Sequence, residues 1–300
     1  MMLENIVAPE SPILSVKQLV QLAPFAASLG RRTVRRQAKK EQGSLRQTRR
    51  GHGLELLELR AYQPHDEVKH IDWRVTARTG QVHTRLYAQE NDHVRLLLLQ
   101  LTNDAYFGTR HTFVSTRYLQ LASLLGYRAK QQQEQLTFWD GCDGKWQHFD
   151  ANQRWQKVLE QITKRSQIPL QPVIGATFDS MVSKGHGYSY LVLSNRIELS
   201  DPEWQRLSYL SKHHDVTWIL IDDQRSFSLP PGQYQLMGET GATAVTITKQ
   251  TQHKALQAYE RGLGNFHHRL QQHGVTLLRY DVENSPIEIG RHLLHRGVIR

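Results

Sequence analysis

Cysteine is nearly absent from this 300-residue chain: Cys142 stands alone, so no disulfide can form within it and a disulfide-stapled scaffold is excluded. Long apolar runs are missing too. The stretch from Gln18 to Gly30 is uncharged but broken by Gln21 and Pro24, and Leu96 to Leu101 is shorter still, whereas a bilayer needs about 20 apolar residues. A secretory leader, with its basic start, is not matched either, because Glu4 comes before the first basic residue, Lys17. A soluble, cytoplasmic protein with no integral membrane segment is expected.

Catalytic and nucleotide motifs are likewise lacking. No GxxxxGK[ST], HExxH or GxSxG occurs, and the short glycine pairs at Gly51-His52-Gly53, Gly185-His186-Gly187 and Gly262-Leu263-Gly264 have no strand-to-helix fingerprint behind them. Sixteen histidines do not by themselves make a metal site: His292 and His295 sit at i, i+3 on an expected solvated helix face, and the rings of adjacent pairs such as His213-His214 and His267-His268 diverge. Cys142 beside Gly141 and Asp143 has no base assigned to it by the sequence. No catalytic constellation emerges, and a non-enzyme is expected.

Acidic residues are scarce in one place. Residues 31–50 hold nine basic side chains, Arg31, Arg32, Arg35, Arg36, Lys39, Lys40, Arg46, Arg49 and Arg50, against Glu41. The whole chain has 38 Lys+Arg and 28 Asp+Glu, a formal +10, so this segment carries +8 and the other 280 residues +2. Such density suits phosphate contacts, acidic protein surface or anionic lipid. Aromatics for base stacking are absent from it, and nucleic acid is therefore the secondary reading.

What is present is an alternating pattern. Short β-branched or aromatic runs at Val94–Leu101, Leu136–Trp139, Tyr188–Leu193, Val216–Ile221 and Val275–Tyr280 read as buried strands. Between them lie helical spacings: Val114, Tyr118, Leu121, Ala122 and Leu125 on one face, a start at Ser200-Asp201-Pro202-Glu203, a helix over Ala255 to Leu270, and the capping box Ser285-Pro286-Ile287-Glu288. Near-continuous apolar strands alternating with helices predict a doubly wound α/β domain with a mostly parallel sheet. Ligands of such sheets bind beyond the carboxyl ends of the strands, which selects Gln100, Thr102, Asn103, Asp104, Asp140, Ser194, Asn195, Asp222 and Asp223. Ordinary turn preference accounts for the same residue types. The expected organisation is residues 1–53, a helix ending near Gly30 and the basic segment; residues 54–93, a small β-rich subdomain with alternation such as Val82, Thr84, Leu86; and residues 94–300, the α/β domain.

The densest pattern is RGHGLELLELRAYQPHDEVKHIDWRVTARTGQVHTRLYAQE, from Arg50 to Glu90. With Arg60, Tyr62, Asp66, the run Ile71-Asp72-Trp73-Arg74, then Thr76-Ala77-Arg78, Tyr87 and Glu90, it resembles the signature of the domain-of-unknown-function 58 family, proteins found beside MoxR-type AAA+ ATPases. Later pieces extend the resemblance over roughly residues 43–295, among them Leu191 to Asn195, His214-Asp215-Val216 and Glu239-Thr240-Gly241. Arg60, Arg74 and Arg78 interleaved with Glu58, Asp66, Asp72 and Glu90 suit a partly buried ion-pair network flanked by Tyr62 and Trp73, because the guanidinium fork satisfies carboxylates two atoms at a time.

The resemblance implies a von Willebrand factor A-like body, a fold whose metal-ion-dependent adhesion site begins with Asp-x-Ser-x-Ser after the first strand. Here the corresponding residues are Gln100-Leu101-Thr102-Asn103-Asp104, and Asn195 stands where a later aspartate is common. Two carboxylate-to-amide changes remove most of the attraction for Mg²⁺, so no cofactor is expected beyond weak binding of Mg²⁺ or another divalent cation by Thr102 and Asp104. The function implied is a non-enzymatic interaction module, an adaptor or partner of a MoxR-type AAA+ ATPase acting on client proteins. The alternatives are nucleic-acid binding through residues 31–50 and, as a minor one, a metal-dependent hydrolase using Asp104, Asp140, Asp222 and Asp223.

Overall fold

Strand β3, Val94–Gln100, is buried along nearly its whole length, and its side chains divide between two cores. Leu97 and Leu99 face one and Leu96 and Leu98 the other, as the two-residue period of a strand requires. A sheet apolar on both faces must be covered on both. In the computed structural model β3 lies inside a six-stranded sheet of order β10-β7-β6-β3-β4-β5, where β4 is Gln135–Asp140, β5 Gln147–Asp150, β6 Ser189–Ser194, β7 Asp215–Asp222 and β10 Thr276–Asp281. All pairings are parallel except that of β5, which turns back antiparallel along β4 at the edge. The structure describes residues 9, 11–30, 56–63, 68–87, 94–109, 112–169, 175–178, 187–238 and 241–300.

One face is covered by α1 (Val16–Val20), α2 (Ala23–Ser28), α4 (Val114–Gln131), α5 (Trp155–Arg165) and α8 (Pro286–His295), which share a core with Leu97, Leu191, Ile219 and Leu278. The other is covered by α6 (Asp201–His213) and α7 (Lys249–Gln272), through Trp204, Leu207, Phe266 and Leu270 packed on Tyr190, Val192 and Trp218. The mixed α/β, mostly parallel architecture is thus present. Helix α4 exceeds its expected amphipathic face: Ser115, Thr116, Arg117, Gln120 and Ser123 are buried as well as the apolar positions, because helices flank it on several sides. The expected N-terminal helix is two short helices. Ser15 caps the first, and Pro24 sits in the first turn of the second, where its missing N–H costs nothing. Leu19, Leu22, Ala26 and Leu29 of this region are part of the core. Arg128 of α4 donates to the carbonyls of Ala26 (3.2 Å) and Arg300 (2.5 Å), joining both ends of the described chain to one helix.

By compactness the chain divides into Met1–Thr33 with His93–Arg300, and Val34–Asp92. In the smaller unit β1 (Leu56–Ala61) pairs antiparallel with β2 (His83–Tyr87), and α3 (Trp73–Thr79) lies between them in sequence. In the larger unit a separate hairpin, β8 (Gly232–Gly238) and β9 (Gly241–Ile247), precedes α7. Among the described residues no helix is long and apolar enough to cross a membrane.

Candidate functional site

The sheet order places the reversal of winding between β3 and β6: the chain goes from β3 to β4 on one side, then returns to β6 on the other. In open α/β sheets that is where ligands bind. The residues found there are engaged with one another. Gln100, fully buried at the end of β3, donates from Nε2 to the carbonyl of Ala176 and accepts at Oε1 from the Ser194 hydroxyl at 3.2 Å. Beside them Asn195 Nδ2 donates to Thr102 Oγ1 at 2.6 Å, and the Thr102 N–H donates to Asn195 Oδ1 at 3.0 Å. Each amide works in both directions, which a carboxylate at the same position has no proton to do.

A cation site of the adhesion type does not fit this donor set. Gln100 Oε1, Asn195 Oδ1 and Thr102 Oγ1 are uncharged and already accept hydrogen bonds, and the carboxylates near them in sequence, Asp104 and Glu198, are both exposed. Among the described residues no three His, Cys, Asp or Glu side chains are grouped to hold an ion. The other rim acids are held by neighbours. Asp140 accepts from Arg165 Nε at 2.8 Å and from the Cys142 N–H at 3.0 Å; Asp222 accepts from Arg279 Nε and the Tyr259 hydroxyl, both at 2.8 Å; Asp223 accepts from the Thr109 N–H at 2.7 Å and its hydroxyl at 3.0 Å. Cys142 is buried, and burial together with the Asp140 carboxylate pushes its thiol well above the ordinary value, so it is held protonated.

Behind the rim, Glu203 in the first turn of α6 is the hub that ties β6 to the 175–178 segment. Its carboxylate takes Arg196 Nη1 at 2.7 Å and Nη2 at 3.0 Å, the Ser200 N–H at 2.9 Å and the Phe178 N–H at 3.3 Å. Burial raises its pKa, but Arg196 and these N–H groups outweigh it and hold the carboxyl below the usual range. The Ser200-to-Glu203 helix start was readable in the sequence; the second duty of Glu203 was not, since nothing local places Arg196 or Phe178 beside it.

In the smaller unit Asp72 is the joint between helix and strand. It caps α3, with Oδ1 accepting the N–H groups of Arg74 and Val75 at 3.1 Å each, while Oδ2 accepts Arg85 Nε at 2.9 Å. The Arg85 hydrogen bond, then the helix N–H groups, hold its carboxyl below the ordinary value. The ionic partner is therefore Arg85, 13 positions away and marked by no local signal. Arg74 and Arg78 are exposed on α3, and Trp73 is 64% exposed instead of packing beside a buried network. Arg60 donates to the Ala61 carbonyl, and Tyr62 is half-buried with its N–H on Val82 O at 2.8 Å. Asp66, Glu90 and all nine basic residues of 31–50 lie outside the described residues, as does the side chain of Glu58.

A family model described as protein of unknown function DUF58 matches residues 58–267. The chain belongs to the DUF58 family. No curated protein and no solved structure matches it. The DUF58 match begins within β1 and ends within α7, so α1, α2, β10 and α8 lie beyond it although their residues complete the larger unit's core.

Proposed function

We propose that this DUF58 protein is a non-enzymatic interaction module with a von Willebrand factor A-like body, serving as adaptor or partner of a MoxR-type AAA+ ATPase in the assembly or remodelling of other proteins. The observation that carries the reading is the state of the rim at the β3–β6 reversal. Its polar groups are mutually hydrogen-bonded, and the Cys142 thiol beside Asp140 is buried and held protonated. Groups already engaged with one another suit recognition better than reaction. The strand order, with the single antiparallel strand β5 at the edge of a parallel sheet, supports the von Willebrand factor A-like assignment. The ATPase partner comes from the family resemblance alone.

Co-purification with a MoxR-type ATPase encoded beside this chain, with and without ATP, tests the reading. Nucleotide-dependent retention is expected, and absence of association in both conditions overturns it. A second reading, nucleic-acid binding, is favoured by the nine basic residues of 31–50. It predicts affinity for DNA or RNA that falls steeply with salt and vanishes when those nine are replaced by glutamine.

A further inference from the structure

We propose that residues 175–178 form a strap fastened by Gln100 over the ends of β3 and β4, and that this strap, not a divalent cation, closes that part of the rim. Three of its four residues are tied down by hydrogen bonds. The Ala176 N–H donates to Gly141 O at 2.7 Å and its carbonyl accepts from Gln100 Nε2; Thr177 O accepts from Trp146 Nε1 at 2.9 Å; the Phe178 N–H donates to Glu203 at 3.3 Å. The Phe178 ring is fully buried, with ring centroids 5.5 Å from Trp146 and 5.4 Å from Trp218. Gly175 lets the strap come close: a Cβ there would lie 3.2 Å from Gln100 Nε2, tight enough that the amide would have to give by a few tenths of an ångström.

The chemistry of residue 100 decides between strap and cation. A carboxylate at the end of β3 attracts a cation and repels a carbonyl oxygen, whereas an amide can offer a proton to that carbonyl and still accept from Ser194. Asn195 makes the same exchange, giving its proton to Thr102 Oγ1. Both amides thus use their carbonyl oxygens within the protein, and the seat of an ion becomes the seat of a peptide. A partner that reaches the ends of β3 and β4 must displace the strap, and its binding should ignore chelators. This holds whoever the partner is, so its failure and that of the ATPase reading are distinguishable.

Hydrogen exchange on the full-length chain at neutral pH provides the test, with Gln100→Met as the variant, since it keeps the length of the side chain but has no donor for Ala176. Exchange of the Ala176 and Phe178 amides should quicken about 10-fold, the weight of one buried hydrogen bond, with β3 and β6 protection unchanged. Wild-type melting temperature should be the same in EDTA and in millimolar MgCl₂ or MnCl₂. Equal exchange in wild type and variant overturns the proposal, as does saturable Mn²⁺ binding that Thr102→Val abolishes. If Gln100→Met does not fold, the wild-type strap decides: protection independent of Mn²⁺ supports the proposal, and protection that requires Mn²⁺ sinks it.

Discussion

Single side chains in this protein often hold two elements at once, and their removal should be felt accordingly. Arg95 at the start of the central strand forms a two-pronged pair with Glu134, at 2.5 and 2.9 Å, with both side chains almost fully buried. Removing one partner strands a buried charge, so Glu134→Ala is expected to cost about 3 to 5 kcal/mol in urea unfolding. Gly126 on α4 faces the Trp155 ring so closely that a Cβ would lie 1.9 Å from it. Gly126→Ala should therefore destabilise by roughly 1 to 3 kcal/mol, despite the better helix propensity of alanine. In the smaller unit Asp72→Asn keeps the cap on α3 but loses the charge facing Arg85, whereas Asp72→Ala loses both. Thermal melts should rank wild type above Asp72→Asn and Asp72→Asn above Asp72→Ala.

Elements are placed by what covers them. Helices α1 and α2 are only 5 and 6 residues long, far too short to persist alone, and they stand because Leu19, Leu22 and Ala26 are buried with α4. Leu22→Ala should cost roughly 2 to 5 kcal/mol in the same unfolding measurement. At the start of α6, Glu203 links helix, β6 and strap through a carboxyl whose folded pKa is below the unfolded value near 4.5. A depressed folded pKa gives stability that is present above the unfolded value and is lost as pH falls through the folded one. Melting temperature measured from pH 6 to pH 3 should hold down to about 4.5 and then drop, and Glu203→Gln should lower the plateau while flattening the drop. The five expected strands and the capping boxes at Ser200 and Ser285 were legible because their signals are local: apolar runs of strand length, and a hydroxyl three residues before a glutamate. Strand β5 and the β8–β9 hairpin were not, since neither bears a long apolar run.

At the scale of the whole molecule, charge and fold separate. The formal +10 falls to +1 if the nine basic residues of 31–50 are replaced by glutamine, 10 minus 9. Retention on a cation exchanger at neutral pH should then be nearly abolished, and the fold of the larger unit, read by circular dichroism, should not change. By itself the sequence determined the α/β class, the family signature, the place of the charge and the set of strand-end residues, because each is written in contiguous residues or short periods. Only the tertiary structure decided what those residues do. That Asp72 meets Arg85, that Glu203 holds Arg196 and Phe178, and that Gln100 grips Ala176 are contacts across 13, 7, 25 and 76 positions. Side-chain chemistry lists the acceptors a donor would suit, but the packing of helices on the sheet brings one of them within reach.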